Sequence, residues 1–85
     1  MKREQFFDVL GEHDCLTAFV YNNDEVLAKF DLNVVSVNEY DDEIVIWGDG
    51  TSFIVLQGDP EEGHNLPEET EYVFKNGNYE VGIVF

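Results

Sequence analysis

The sequence predicts an α+β protein that is mainly antiparallel β, with a short N-terminal helix packed on a twisted meander of six or seven strands or on a partly closed barrel. Short runs rich in β-branched and aromatic residues recur along the chain and predict the strands. The dipeptides Asp49-Gly50 and Asn76-Gly77 separate such runs as hairpin turns do. One amphipathic stretch predicts the helix, and 85 residues suit a single domain, residues 1–85.

Residues 2–11 form the helix candidate. Apolar side chains recur there at the spacing of one helical face, while charged side chains occupy the other face. The apolar members are Phe6, Phe7, Val9 and Leu10. Gly11 follows the last of them, and glycine is the residue that most often ends a helix. The apolar stripe needs cover, so we expect this helix to lie on one face of the sheet.

Two strands are expected next, over residues 15–21 and 25–32. The residues between them are turn formers, and a loop at Asn23-Asp24 would join the strands as a hairpin. The residues brought opposite each other are then Tyr21 and Val26, followed by Phe19 and Ala28. A loop at Asn22-Asn23 is the alternative, and it would change this register by one residue.

The central hairpin is expected over residues 43–56, preceded by a strand over residues 33–40. A loop at Asp41-Asp42 places Val37 opposite Ile46, and a loop at Asp49-Gly50 places Ile46 opposite Phe53. One face of the sheet then carries Val35, Val37, Ile44, Ile46, Phe53 and Val55. We expect that face to form the core beneath the helix. The opposite face, which carries Trp47, is mixed in polarity.

The last part of the chain predicts a loop and then a final hairpin. Residues 57–69 show no periodicity and are expected to form a loop, with one short helical turn beginning near Asp59. Residues 70–85 alternate in polarity about Asn76-Gly77, which predicts a hairpin with Phe74 opposite Tyr79. A helix starting at Pro67 is the alternative, but it leaves that alternation unexplained.

Charge is the strongest indication of function. The chain has 19 acidic residues against 4 basic ones, and its net charge is −15. Such a charge repels phosphates, so we expect no direct binding to nucleic acid or to anionic membranes, and we expect a basic protein as partner. No lysine or arginine occurs between Lys29 and Lys75, although that span holds twelve acids. A surface that served solubility alone would intersperse both signs.

The compartment predicted from the sequence is the cytoplasm. A single cysteine, Cys15, cannot form an internal disulfide bond, and the first ten residues carry charges that do not suit a signal peptide. No run approaches the ~20 apolar residues of a membrane-spanning helix.

Patterns of catalytic or metal-binding residues are weak. His13 and Cys15 lie two residues apart, but acidic neighbours disfavour the thiolate that a cysteine nucleophile needs. His64 lies among glutamates that could join it around a divalent cation, although an exposed loop histidine is the simpler interpretation. The two turn dipeptides lack the alternating acids of a calcium loop. We therefore expect no enzymatic activity, no cofactor and no bound metal.

The predicted partner-binding residues are the acids of the turn at 39–43 and of the segment at 59–71. They are Glu39, Asp41, Asp42, Glu43, Asp59, Glu61, Glu62, Glu68, Glu69 and Glu71. Side chains on one face of a strand are ~6.6 Å apart, whereas each DNA strand carries one charge per ~3.4 Å. One strand of acids is therefore too sparse to imitate DNA, and the two segments must converge for the imitation to succeed.

Two functions follow from these observations. The first is a small acidic inhibitor that occupies the nucleic-acid site of a basic enzyme. In size and charge the chain is similar to the DNA mimics with which phages and mobile elements block restriction or CRISPR nucleases, an analogy of composition alone. The alternative is an interaction or assembly module that docks through apolar surface around Trp47 or through a free edge of the C-terminal strand.

Overall fold

In the computed structural model, residues 3–66 and 69–85 are described, with the backbone alone at positions 62, 64–66 and 69. These residues form one helix and eight strands. In chain order the elements are α1 (Arg3–Leu10), β1 (Cys15–Asn22), β2 (Glu25–Asn33), β3 (Ser36–Glu39), β4 (Glu43–Trp47), β5 (Phe53–Gln57), β6 (Glu61–Leu66), β7 (Glu69–Asn76) and β8 (Tyr79–Val84).

The strands divide into two antiparallel sheets. The larger sheet has five strands in the order β2-β1-β8-β7-β6, and the smaller has three in the order β3-β4-β5. The α+β class is confirmed, whereas neither a single meander nor a closed barrel is found. The meander prediction fails because β8 returns to pair with β1, where Ala18 lies opposite Ile83. Both of those side chains are buried, so this pairing joins the two ends of the chain in one core.

The C-terminal hairpin confirms the predicted face but not the predicted pairs. Phe74 lies opposite Val81 and Tyr72 opposite Ile83, with Gly77 at a φ of 65° beginning the loop. The observed partners are two residues further along than the sequence predicted. Because side chains alternate with a period of two, a shift of two residues leaves every side chain on its predicted face. All four of these side chains are accordingly buried.

The central hairpin differs from the prediction by one residue, and the consequence is large. Trp47, rather than Ile46, lies opposite Phe53, because the loop runs from Gly48 to Ser52 and is closed by a 2.8 Å bond from Gly48 N to Ser52 O. A shift of one residue exchanges the faces of a strand. Ile54 and Leu56 are therefore buried, and Phe53 is 54% exposed. The predicted pairing of Val37 with Ile46, in contrast, is confirmed.

The first hairpin keeps its predicted turn and loses its predicted register. Asn23 and Asp24 both take positive φ, 51° and 66°, as a two-residue turn of this kind requires. Tyr21 pairs with Val26 as expected, but a bulge follows between Val20 and Tyr21. Beyond the bulge Phe19 faces Lys29 instead of Ala28. The bulge adds one residue to β2, which a count from the turn cannot anticipate.

Strand β6 occupies residues 61–66 of the stretch 57–69, where a loop and one helical turn were expected, and positions 67 and 68 lie outside the described residues. Its sequence, EEGHNL, has no apolar alternation and therefore does not predict a strand. The backbone of this edge strand pairs with β7, for example at Glu61 and Val73. The alternative helix from Pro67 to Asn76 is also wrong for the described residues, because β7 begins at Glu69. The C-terminal strand, expected at a free edge, is β8 and lies inside the sheet.

The two sheets and the helix share one hydrophobic core. Phe6 is fully buried and lies 5.0 Å from Phe74 and 5.5 Å from Tyr72 between ring centroids. The smaller sheet contributes Ile44, Ile46, Ile54 and Leu56. The side chain of Asn76, at the end of β7, links the two sheets by hydrogen bonds to the backbone of β5. Its Nδ2 donates to Val55 O at 2.8 Å, and its Oδ1 accepts from Gln57 N at 3.1 Å. The helix therefore lies on a sheet as predicted, but Phe6 contacts β7 of the larger sheet. The face predicted to lie beneath the helix is wrong in part, since Val35 and Phe53 are 64% and 54% exposed.

Candidate functional site

The candidate site is built around Arg3, the first residue of α1. Its side chain is only 13% exposed. Nη1 donates to Tyr40 O at 2.5 Å, and Nε donates to Gly58 O at 3.1 Å. One residue of the helix therefore holds together the turn after β3 and the turn after β5.

Five of the predicted partner-binding residues lie in or beside the two turns that this arginine joins, and we call them the acidic cluster. Its members are Glu39, Asp41, Asp42 and Glu43 at the β3–β4 turn and Asp59 after β5. Arg3 Nη1 lies 3.6 Å from Glu39 Oε2, and Arg3 Nε lies 3.3 Å from Asp59 Oδ1. The two acidic segments therefore meet at one end of the three-stranded sheet.

Backbone hydrogen bonds hold the acidic cluster in a defined shape. Tyr40 N donates to Glu43 O at 2.8 Å and closes the turn, and Gly58 N donates to Asp42 O at 2.9 Å and ties this turn to the segment of Asp59. Asp41, Asp42 and Asp59 are exposed, and Glu43 is half-buried. The carboxylates are presented to solvent by a constrained backbone.

The acidic cluster carries a large excess of negative charge. It holds five carboxylates and one guanidinium, and within the described part of the chain the ion pairs of the cluster are those of Glu39 and Asp59 with Arg3. To a distant ligand the cluster acts as the sum of its charges, which remains strongly negative because one guanidinium offsets only one of the five carboxylates. The end of the smaller sheet is therefore strongly attractive to cations.

Glu61 extends this surface towards the larger sheet. It begins β6 two residues after Asp59, so their Cα atoms are at most about 7 Å apart. Its Oε2 lies 3.5 Å from Lys75 Nζ, in a pair whose side chains are 62% and 63% exposed. The backbones of Glu62 and Glu69 belong to β6 and β7, and Glu68 lies outside the described residues.

Glu71 does not belong to the surface, in contrast to the prediction. Its side chain is 1% exposed and accepts a hydrogen bond from the hydroxyl of Tyr21. Burial, together with the Glu71 carboxylate, raises the pKa of the Tyr21 phenol well above its ordinary value, so the hydroxyl keeps the proton that it donates. The carboxylate lies over Gly63 and Gly82, whose missing side chains leave room for it. Glycines inside strands often mark such close approaches, so Gly63 and Gly82 are the sequence signal from which the burial of Glu71 could have been predicted.

Replacing Gly82 by alanine is expected to lower the free energy of unfolding by about 2 kcal/mol, because the new methyl overpacks a buried site. A Cβ at Gly82 would lie 2.5 Å from Glu71 Oε2 and 3.0 Å from Tyr21 Cε2. Urea unfolding followed by circular dichroism measures the loss. Gly11→Ala is the control, since its nearest new neighbour, Phe7 O, is 3.4 Å away. An equal effect of both variants would contradict this packing.

Arg3 is the site residue that the sequence did not reveal. The amphipathic pattern placed it among the charged residues on the outer side of the helix. Its hydrogen-bond partners, Tyr40 and Gly58, lie 37 and 55 positions away. No local pattern reports contacts over such distances, so only the folded structure identifies this role.

The other candidate chemistries lie elsewhere. His13 Nδ1 is 2.9 Å from Val9 O, and its ring lies 5.1 Å from that of Phe85. Cys15 is exposed at the start of β1. Among the described side chains, which do not include His64, no group of three or more His, Cys, Asp or Glu is arranged to hold a metal ion.

Comparison of the chain with models of known protein families, with curated proteins and with solved structures found no match. The helix that the structure describes is too short and too polar to cross a membrane. The geometry of the acidic cluster is therefore the main guide to function.

Proposed function

We propose that this protein is a small non-enzymatic inhibitor that binds a basic, nucleic-acid-binding surface of a partner protein through its acidic cluster. The observation that carries the proposal is the convergence of the β3–β4 turn and Asp59 around Arg3. The partner would be an enzyme or regulator whose phosphate-binding groove accepts carboxylates in place of phosphates.

Charge density supports this comparison with a nucleic acid. Adjacent Cα atoms are ~3.8 Å apart along the chain, close to the ~3.4 Å of helix axis that one DNA strand spans per charge. Asp41, Asp42 and Glu43 are adjacent, so the turn reaches a density that alternate residues of a strand do not. The Gly58–Asp42 hydrogen bond brings the second segment, with Asp59, alongside the first.

Rigidity supports it as well. Arg3 and the two backbone bonds hold the acidic cluster before any partner arrives. A preorganised surface loses less conformational entropy on binding than a flexible acidic tail. These properties suit a cytoplasmic decoy of the kind that phages and mobile elements direct against restriction or CRISPR nucleases.

A salt-dependent capture experiment tests the proposal. The immobilised protein should retain a basic partner at about 50 mM salt and release it at about 500 mM, because screening weakens surface attraction. The purified partner should bind duplex DNA, and that DNA should compete with this protein. Capture that resists salt, with no competition by DNA, would overturn the electrostatic mechanism.

The second candidate function is an interaction module that uses the free edge of β2. Eight of the nine residues of this strand are exposed, and Val26 and Leu27 are 56% and 55% exposed. An exposed apolar edge strand can accept a strand from another protein. Capture that resists salt but is lost in Leu27→Lys would favour this second function.

A further inference from the structure

The outer face of the three-stranded sheet presents a pair of exposed aromatic side chains. Trp47 on β4 and Phe53 on β5 lie directly opposite each other, with ring centroids 5.1 Å apart. Trp47 is 39% exposed and Phe53 54%, while their inward-facing neighbours Ile46 and Ile54 are buried. Leaving two large rings in water is unfavourable, so the pair is poised to be covered.

A hydrogen bond orients the indole of Trp47. Its Nε1 donates to Asn38 Oδ1 at 2.8 Å, across the strand pair that joins β3 to β4. This bond satisfies the polar group of the side chain and fixes the direction of the ring. What Trp47 offers to a ligand is therefore its π surface.

Negative charge lies at both ends of this face. Glu43 lies on the same outer face of β4 as Trp47, four residues earlier, so their Cα atoms are about 13 Å apart along the strand. Asp49 follows in the loop after β4, where its Oδ2 accepts a hydrogen bond from Asn33 Nδ2 at 3.0 Å. Acids on either side raise the local concentration of cations above the aromatic pair.

The described cations of the protein lie elsewhere. Arg3 is held in the acidic cluster, and Lys75 pairs with Glu61. Lys29 lies over the ring of Phe19, with Nζ 5.6 Å from its centroid. The chain thus supplies a cation to the half-buried ring of Phe19, whereas the exposed pair of Trp47 and Phe53 is flanked by acids.

We propose that the Trp47–Phe53 pair receives an arginine side chain of the basic partner, while the acidic cluster attracts the surrounding positive charge. This inference rests on the proposed function and names the chemistry of the partner's contact. Tryptophan is the aromatic residue that binds cations best. Arginine suits it better than lysine because the planar guanidinium stacks on rings and is more weakly hydrated.

Titration with an oligoarginine peptide and an oligolysine peptide of equal length tests the inference. Calorimetry measures both affinities, and the chain's single tryptophan reports contact by its fluorescence. We expect oligoarginine to perturb this emission and Trp47→Leu to weaken oligoarginine binding about 3- to 10-fold, with little effect on oligolysine. Trp47→Phe should recover part of the loss. Tyr79→Leu, which removes a 46% exposed aromatic on β8, should change neither affinity.

The outcomes separate this inference from the function on which it rests. If both peptides bind in a salt-dependent manner but Trp47→Leu lowers their affinities equally or not at all, the arginine site is refuted and the acidic decoy stands. Unchanged Trp47 emission on binding of oligoarginine refutes the arginine site in the same way. If neither peptide binds at low salt, the proposed function fails and the arginine site fails with it.

Discussion

Replacing Asp41 and Asp42 together by lysine is expected to weaken binding of an oligolysine peptide by about 100-fold at low salt. Both residues are exposed in the β3–β4 turn and contribute no side chain to the core. Each substitution removes an attraction and adds a repulsion, and about 1.4 kcal/mol per site accounts for the total. The hydrogen bond that Asp42 makes uses its backbone carbonyl, so the turn should persist.

The matched control for this variant is Glu12→Lys with Asp14→Lys, which changes the net charge by the same amount. These exposed acids follow the C-terminal end of α1, while Arg3 and the acidic cluster lie at its N-terminal end. Isothermal calorimetry should show a much smaller loss for the control. If both double variants lose affinity equally, net charge alone governs binding and the acidic cluster has no special role.

Replacing Phe6 by alanine is expected to lower the free energy of unfolding by about 3 to 5 kcal/mol. The ring is fully buried and contacts Tyr72 and Phe74 of β7 and Phe85 at the chain end. Its removal leaves a cavity where the helix meets the larger sheet. Because small domains are stable by only about 5 to 15 kcal/mol, the loss is a large share of the total stability.

Urea unfolding followed by far-ultraviolet circular dichroism measures this loss, and Phe53→Ala is its control. The two variants make the same chemical change, but Phe53 is 54% exposed and should cost less than about 1 kcal/mol. A small effect at Phe6 would mean that α1 is not anchored to the core through this ring. It would also contradict the view that α1, anchored by Phe6, positions Arg3 in the acidic cluster.

Local patterns predicted much of the architecture. The apolar stripe of the helix, the turn at Asn23-Asp24 and the pairing of Val37 with Ile46 all depend on residues close together in the sequence. The C-terminal hairpin kept its buried face despite a wrong register, since an error of two residues preserves alternation. The central hairpin lost its predicted buried face on β5, since an error of one residue exchanges the two faces of a strand. For this reason Phe53 was predicted to be buried although it is exposed.

The candidate site was predictable in composition and not in geometry. The sequence identified the acids of the β3–β4 turn and Asp59 because their excess over bases is visible without a fold. It also included Glu71, which the folded chain buries against Tyr21. Burial depends on which strands become neighbours, and β1 meets β7 only through β8, a strand from the far end of the chain.

The sequence by itself determined that this is a β-rich protein of extreme negative charge, because turns, alternation and charge are properties of neighbouring residues. Tertiary structure alone decided that the acids meet at one end of a sheet, since Arg3 reaches across 37 and 55 positions to join them. It likewise decided that Trp47 and Phe53 face outwards together. The physical reason is that strand pairing and register are selected by the burial of the whole core, which no single segment specifies.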